Sequence, residues 1–209
     1  MARVFRSATA IIAALTALAF MVAWAIQQND YAAAALGFIP ARISGAQTPW
    51  ASAPAFLTPL TATVVHGGWL HLATNLLMLI WCGVAVERAL GRANLVIIYI
   101  VGAYAAAAAQ WLSDPHGIIP MVGASGAISA VMAAFALSFG RPRMFTNSIR
   151  LNRWLHIAHL LAAWVVIQLM VGWLAGGKGY ILATPAHVGG FIAGLLLQRP
   201  LLLWKFRHA

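Results

Sequence analysis

The chain has 209 residues, of which 63% are hydrophobic and only 8% charged, against the roughly one-quarter charged content of soluble domains. Its formal net charge of +10 comes from bases set between long apolar runs, which argues for a topological charge bias and against nucleic-acid binding. The single cysteine, Cys82, lies within an apolar run and is read as packing; one cysteine excludes an internal disulfide framework and a cysteine-based metal site.

A membrane-spanning helix needs about 20 apolar residues at about 1.5 Å each. Such segments fall near 8–27, 69–88, 93–112, 122–140, 155–175 and 184–204. They predict an all-α polytopic membrane protein, a six-helix bundle forming one membrane-embedded domain over residues 1–209. The first, preceded by Arg3 and Arg6, has the flanks of a signal peptide. Its apolar run from Ala8 to Ile26 is longer than a signal h-region, so an uncleaved span is expected.

Lys and Arg accumulate at Arg3 and Arg6, at Arg88 and Arg92, at Arg141, Arg143, Arg150 and Arg153, and at Lys205 and Arg207. With six spans all four clusters fall on one side, which predicts cytoplasmic N- and C-termini. The loop from Gln27 to Gly68, the turn near Asp114 to Pro120 and the turn near Gly176 to Tyr180 then face outward, with Arg42 and Lys178 as their bases. Trp50, Trp69, Trp111, Trp173 and Tyr180 are expected at the outer interface, and Trp154 and Trp204 at the inner one. Trp81 and Trp164 fall between these belts and are assigned to the core.

The second span opens with His66, Gly67, Gly68, Trp69, Leu70 and His71, and Asn75 follows one turn after His71 on the same face. Those two side chains have the donors to stabilise an oxyanion. The fourth span is apolar only from Ala127 to Phe139, too short for a hydrocarbon core of about 30 Å, so it is expected to begin within the membrane profile. Ser125 stands 16 residues before Arg141, about 24 Å along a helix. In the sixth span Thr184 is a candidate N-cap and Pro185 the first helical residue. His187 stands 18 residues before Lys205, about 27 Å. Two separate counts thus predict Ser125 and His187 at similar depths on the outer side.

Helix starts at that depth imply an aqueous cavity, because unpaired backbone inside a bilayer needs protein or water around it. Gly123-Ala124-Ser125-Gly126 puts a hydroxyl where free N–H groups at Gly123 and Ser125 and the helix dipole favour negative charge. Taken alone, Gly126, Ala130 and Ala134 also read as a close-packing stripe, with Ser125 merely bonding across it. An ionisable residue within a span is a functional candidate, and neutral imidazole is the usual base for serine. Gly190 and Gly194, on the same face as His187, let a partner helix approach it. Metal or haem ligation is disfavoured: His66 and His71 are five apart, no His-Glu-x-x-His pattern occurs, and no carboxylate lies nearby. Glu87, Asp30 and Asp114 are too distant to complete a triad, so a Ser125–His187 dyad is the simpler expectation, with no cofactor.

From about Thr61 to Leu196 these motifs resemble the rhomboid family of intramembrane serine proteases. The family's G-x-S-G matches Gly123 to Gly126, its A-H-x-x-G-x-x-x-G matches Ala186 to Gly194, and its His-x4-His-x3-Asn matches His66, His71 and Asn75. The resemblance implies Ser125 as nucleophile and His187 as base. It further implies Asn75, His71 and the Ser125 N–H as oxyanion donors, and a structural role for Glu87. It implies hydrolysis of transmembrane segments within a lipid bilayer. The short basic N-terminus, with no transit-peptide pattern, suggests a bacterial plasma membrane, and the depth of the two helix starts predicts a site open to the non-cytoplasmic side. Oligomeric state is left open. Two features depart from the family: Ser129 stands where an aromatic often supports the histidine, and Leu57 and Thr58 stand where a Trp-Arg pair is common. Two other readings compete: a rhomboid-like binder that does not cut, and a small transporter using His66, His71 and His187 as a proton path.

Overall fold

The computed structural model describes residues 7–141, 144–176 and 183–207; Arg3, Arg6, Arg143, Lys178 and Tyr180 lie outside them. The elements in chain order are α1 (Ala8–Ala25), α2 (Asn29–Leu36), α3 (Pro40–Ile43), α4 (Thr58–Thr61), α5 (Trp69–Leu90), α6 (Arg92–Ser113), α7 (Ser125–Phe139), α8 (Ile149–Gly176) and α9 (Thr184–Lys205), with single 3-10 turns on either side of α4. Among the described residues there is no strand, only an isolated bridge between Phe38 and Met121. Helices are the expected answer for backbone that must satisfy its own hydrogen bonds in lipid.

Five of these helices, α1, α5, α6, α8 and α9, are long and apolar enough to cross a membrane. The protein is a multi-pass, all-helical membrane protein. At 15 residues α7 is shorter, about 22 Å, in keeping with a start below the surface. It is also the most enclosed helix: Ala127, Ala130, Val131, Ala133 and Ala134 are all at 1% exposure or less. The small side chains let α5, α6 and α9 close around it, the packing mode available where lipid is as apolar as leucine.

The basic ends of the helices converge. Lys205 at the end of α9 donates to the Ala89 carbonyl at the end of α5, at 2.8 Å. Gln198 of α9 donates to Ser138 near the end of α7 at 3.1 Å. Glu87, near the end of α5, crosses to α1: its carboxylate accepts from the N–H groups of Ala8 and Thr9 and from the hydroxyls of Ser7 and Thr9, all within 2.7–2.9 Å. The first turn of α1 is capped by a side chain 80 residues away, where the helix dipole favours an anion.

Three expectations are corrected. The fifth span, expected near 155–175, begins at Ile149, because polar residues extend its first turns beyond the apolar run and Asn152 ties the incoming Phe145 and Thr146 N–H groups to it. Trp81 is 66% exposed rather than in the core, because an indole on a lipid-facing side is as well solvated as one inside. Thr184 is not the N-cap of α9 but its first residue, with Ala183 as the cap; Pro185, with its fixed φ, suits the opening turn in either register. Trp164 is half-buried, stacked on Phe191 with ring centroids 4.9 Å apart. Cys82 is buried and unpaired.

Candidate active site

The chain approaches α7 through a segment pinned by backbone bonds to the outer loop. Phe38 and Met121 exchange two N–H···O bonds of 2.9 and 2.8 Å, and the Gly123 N–H donates to the Ala62 carbonyl at 2.9 Å, so it is committed to the outer loop and is not the free oxyanion donor expected there. Gly123 then turns at φ +107°, a conformation natural to glycine. The i−4 ladder begins with Ile128 donating to Ala124, so the N–H groups of Ser125, Gly126 and Ala127 have no partner within the helix. Ser125 is therefore presented at the positive end of a buried helix.

His187 is brought to it by backbone-to-backbone packing of α9 on α7. A Cβ at Gly190 would collide with the Gly126 carbonyl, and one at Gly194 with the Ala130 carbonyl. At this separation Ser125 Oγ and His187 Nε2 lie 2.7 Å apart. The other ring nitrogen, Nδ1, lies 2.7 Å from Gln168 Oε1 on α8. An amide oxygen only accepts, so Nδ1 carries the proton and Nε2 offers its lone pair to the serine hydroxyl. One turn before Gln168, the Trp164 indole N–H donates to the His187 carbonyl at 3.3 Å.

On the opposite side of Ser125, the His71 ring lies against Gly123: a Cβ there would stand 2.6 Å from both His71 Cε1 and Nε2. The Gly67 N–H donates to His71 Nδ1 over a long 3.4 Å, which leaves Nε2 as the N–H facing Gly123. Asn75 is buried; one Nδ2 hydrogen goes to the His71 carbonyl at 2.8 Å, its Oδ1 has no partner, and a second N–H remains. His66 is 2% exposed and edge-on to His71 at 5.0 Å, without a partner in hydrogen-bond geometry for either ring nitrogen. Burial first, and the neighbouring His71 second, push its pKa down to about 4 against the pull of the Val64 carbonyl. Ser129 turns its hydroxyl back to the Ser125 carbonyl at 2.7 Å and does not support the imidazole.

A cavity of about 10 Å³ adjoins Ser125, walled by Ala103, Ala106, Met121, Gly126 and Ala186, room for roughly one water. A much larger recess of about 790 Å³ lies elsewhere, between α1, α2 and the segment leading to His66, and its lining is overwhelmingly apolar. No group of three or more His, Cys, Asp or Glu side chains among the described residues is arranged to hold a metal.

The structure thus gathers Ser125, His187, His71, Asn75 and Gly123 in one place, with Gly126, Gly190 and Gly194 as the contact surface between helices. Glu87 stands apart at α1. Sequence reasoning missed Gln168, although an amide in the apolar run from Leu155 to Met170 is itself a signal of a buried polar contact.

Residues 54–204, well over half of the chain, match the family model described as Rhomboid domain. RHOMBOID-like protein 5 of Arabidopsis thaliana is 31% identical over 66% of this chain and 42% of its own length. Rhomboid protease GluP of Bacillus subtilis is 30% identical over 70% of this chain and 26% of its own length. Rhomboid protease AarA of Providencia stuartii is 28% identical over 65% of this chain and 52% of its own length. The chain therefore spans between about a quarter and a half of these relatives. A family match that covers all the helices gathered around Ser125, together with relatives that carry the same name from plants and bacteria, establishes that the chain belongs to the rhomboid family.

Proposed function

We propose that this protein is an intramembrane serine endopeptidase that cleaves transmembrane segments of other membrane proteins, with Ser125 as nucleophile and His187 as general base. The observation that carries the reading is the 2.7 Å contact between Ser125 Oγ and His187 Nε2 at the start of a buried helix.

The substrate carbonyl carbon is attacked by Ser125 Oγ as its proton passes to His187 Nε2. The oxygen that becomes negative is met by the Ser125 N–H, the free Asn75 N–H and the His71 Nε2–H, with the Gly123 turn setting their spacing. The C–N bond breaks as Nε2–H returns the proton to the leaving amine. Water, deprotonated by the same nitrogen, then hydrolyses the ester and restores the hydroxyl. A helical substrate hides its amides in its own hydrogen bonds, so local unwinding precedes attack.

The basic ends of α5, α7 and α9 lie away from Ser125, which supports an orientation with those ends and both termini cytoplasmic and the site open to the other face. In this reading α7 is the fourth of six spans, enclosed by its neighbouring helices over most of its length, in a bacterial plasma membrane.

A mechanism-based fluorophosphonate probe tests the assignment on purified wild type, Ser125→Ala and His187→Ala, each checked for folding by thermal melt. Wild type should label, and both variants should lose labelling. Folded wild type that never labels beside an active control hydrolase would replace catalysis with membrane-protein binding.

A further inference from the structure

We propose that Gln168 is the positioning residue for His187, taking the place that a carboxylate holds in a serine–histidine–aspartate triad. This rests on the function proposed above and adds a third member to its machinery. Three separate contacts join the same faces of α8 and α9. Gln168 Oε1 accepts from His187 Nδ1–H at 2.7 Å, and one turn earlier Trp164 donates to the His187 carbonyl while its ring stacks on Phe191 with planes 10° apart. Trp164 and Gln168 are four residues apart on α8, and His187 and Phe191 four apart on α9, so the two pairs face each other as one interlocked patch. Gln168 is 6% exposed, so its amide is committed to this contact rather than to water.

The chemical reason is the tautomer. Neutral imidazole carries one proton, and only the Nδ1–H form leaves a lone pair on Nε2 for the serine. An acceptor opposite Nδ1 selects that form and fixes the ring plane; without it, the Nε2–H form gains weight and cannot take the Ser125 proton. When imidazolium forms, Nδ1–H still donates to the same oxygen, so Gln168 serves the ground state and the transition state alike. An amide does this in a membrane interior without the desolvation that a carboxylate carries. All three acids of the chain, Asp30, Asp114 and Glu87, are placed elsewhere. With Ser129 in contact with its own helix backbone, Gln168 and Trp164 are what holds the histidine.

The test compares wild type, Gln168→Leu and Gln168→Glu, reading ¹⁵N-histidine NMR in detergent and cleavage kinetics on a transmembrane peptide separately. The His187 signal is identified by difference against His187→Ala. Gln168→Leu should move His187 toward the Nε2–H tautomer and lower kcat by about 10- to 100-fold with KM within about twofold, as expected for loss of a group that orients a reacting one. Gln168→Glu, with an acceptor at the same reach, should restore the Nδ1–H form and most of kcat. If Gln168→Leu does not fold, Gln168→Met keeps the length of the side chain and gives the same reading. An unchanged tautomer and kcat in folded Gln168→Leu would overturn the positioning role and leave the protease standing. A tautomer change in a protein whose wild type cleaves nothing would instead keep the contact and remove the reaction.

Discussion

The approach of α9 to α7 sets the geometry of the site, and Gly190→Ala perturbs it with a single methyl. The added Cβ would meet the Gly126 carbonyl, and because that atom is backbone rather than the end of a flexible side chain, no rotamer change relieves the contact. The helices must part, by on the order of 1 Å, one turn from His187; a displacement of that size in a reacting group lowers rate by about 100-fold. Overpacking of this kind also lowers stability by about 1–3 kcal/mol. Fluorophosphonate labelling rates and a thermal melt on the same preparation separate the two effects. The control is Leu196→Ala on the same helix, where the side chain is 66% exposed and both readouts should stay near wild type. A folded Gly190→Ala protein that labels at the wild-type rate would refute the claim that close helix contact positions the imidazole.

Glu87→Ala should unfold the N-terminal end of the bundle without touching the chemistry. It removes an anion that accepts from two N–H groups and two hydroxyls, a loss of about 2–4 kcal/mol read in the melt, with unchanged labelling per folded molecule. Acidification should act through His66. Its pKa falls from 6.5 to about 4 on folding, so the unfolded chain binds a proton first as pH drops. Its contribution is complete above about pH 6.5 and is lost between there and about pH 4, reaching about 2 kcal/mol at pH 5. Melts across that window should lose stability less steeply on acidification in His66→Leu than in wild type, and equal slopes in both would refute it.

The spans were legible because a bilayer leaves the backbone few choices. An apolar run of sufficient length must close its own hydrogen bonds, so α1, α5, α6 and α9 begin and end within two residues of their expected limits. Ser125 and His187 were legible for a related reason: both could be measured from basic residues at the far ends of their helices, and depth is the one coordinate that a membrane writes into a sequence. Orientation around a helix axis is not written so plainly. Lipid and protein interior are equally apolar, which is why Trp81 could be assigned to the core and yet face outward. The outer loop was opaque for a different reason, since α2, α3 and α4 are too short to stand on propensity and are held by distant bonds such as Thr61 Oγ1 to the Leu36 carbonyl at 2.6 Å. Gln168 lies between these cases. Its presence in an apolar helix announces a buried polar contact, but nothing in the spacing within α8 says which nitrogen of which residue it meets. That pairing depends on the rotation of α8 against α9, which Trp164 and Phe191 settle by stacking. The residues proposed to do the chemistry are thus read from depth, and the residue proposed to orient them only from the packing of a neighbouring helix.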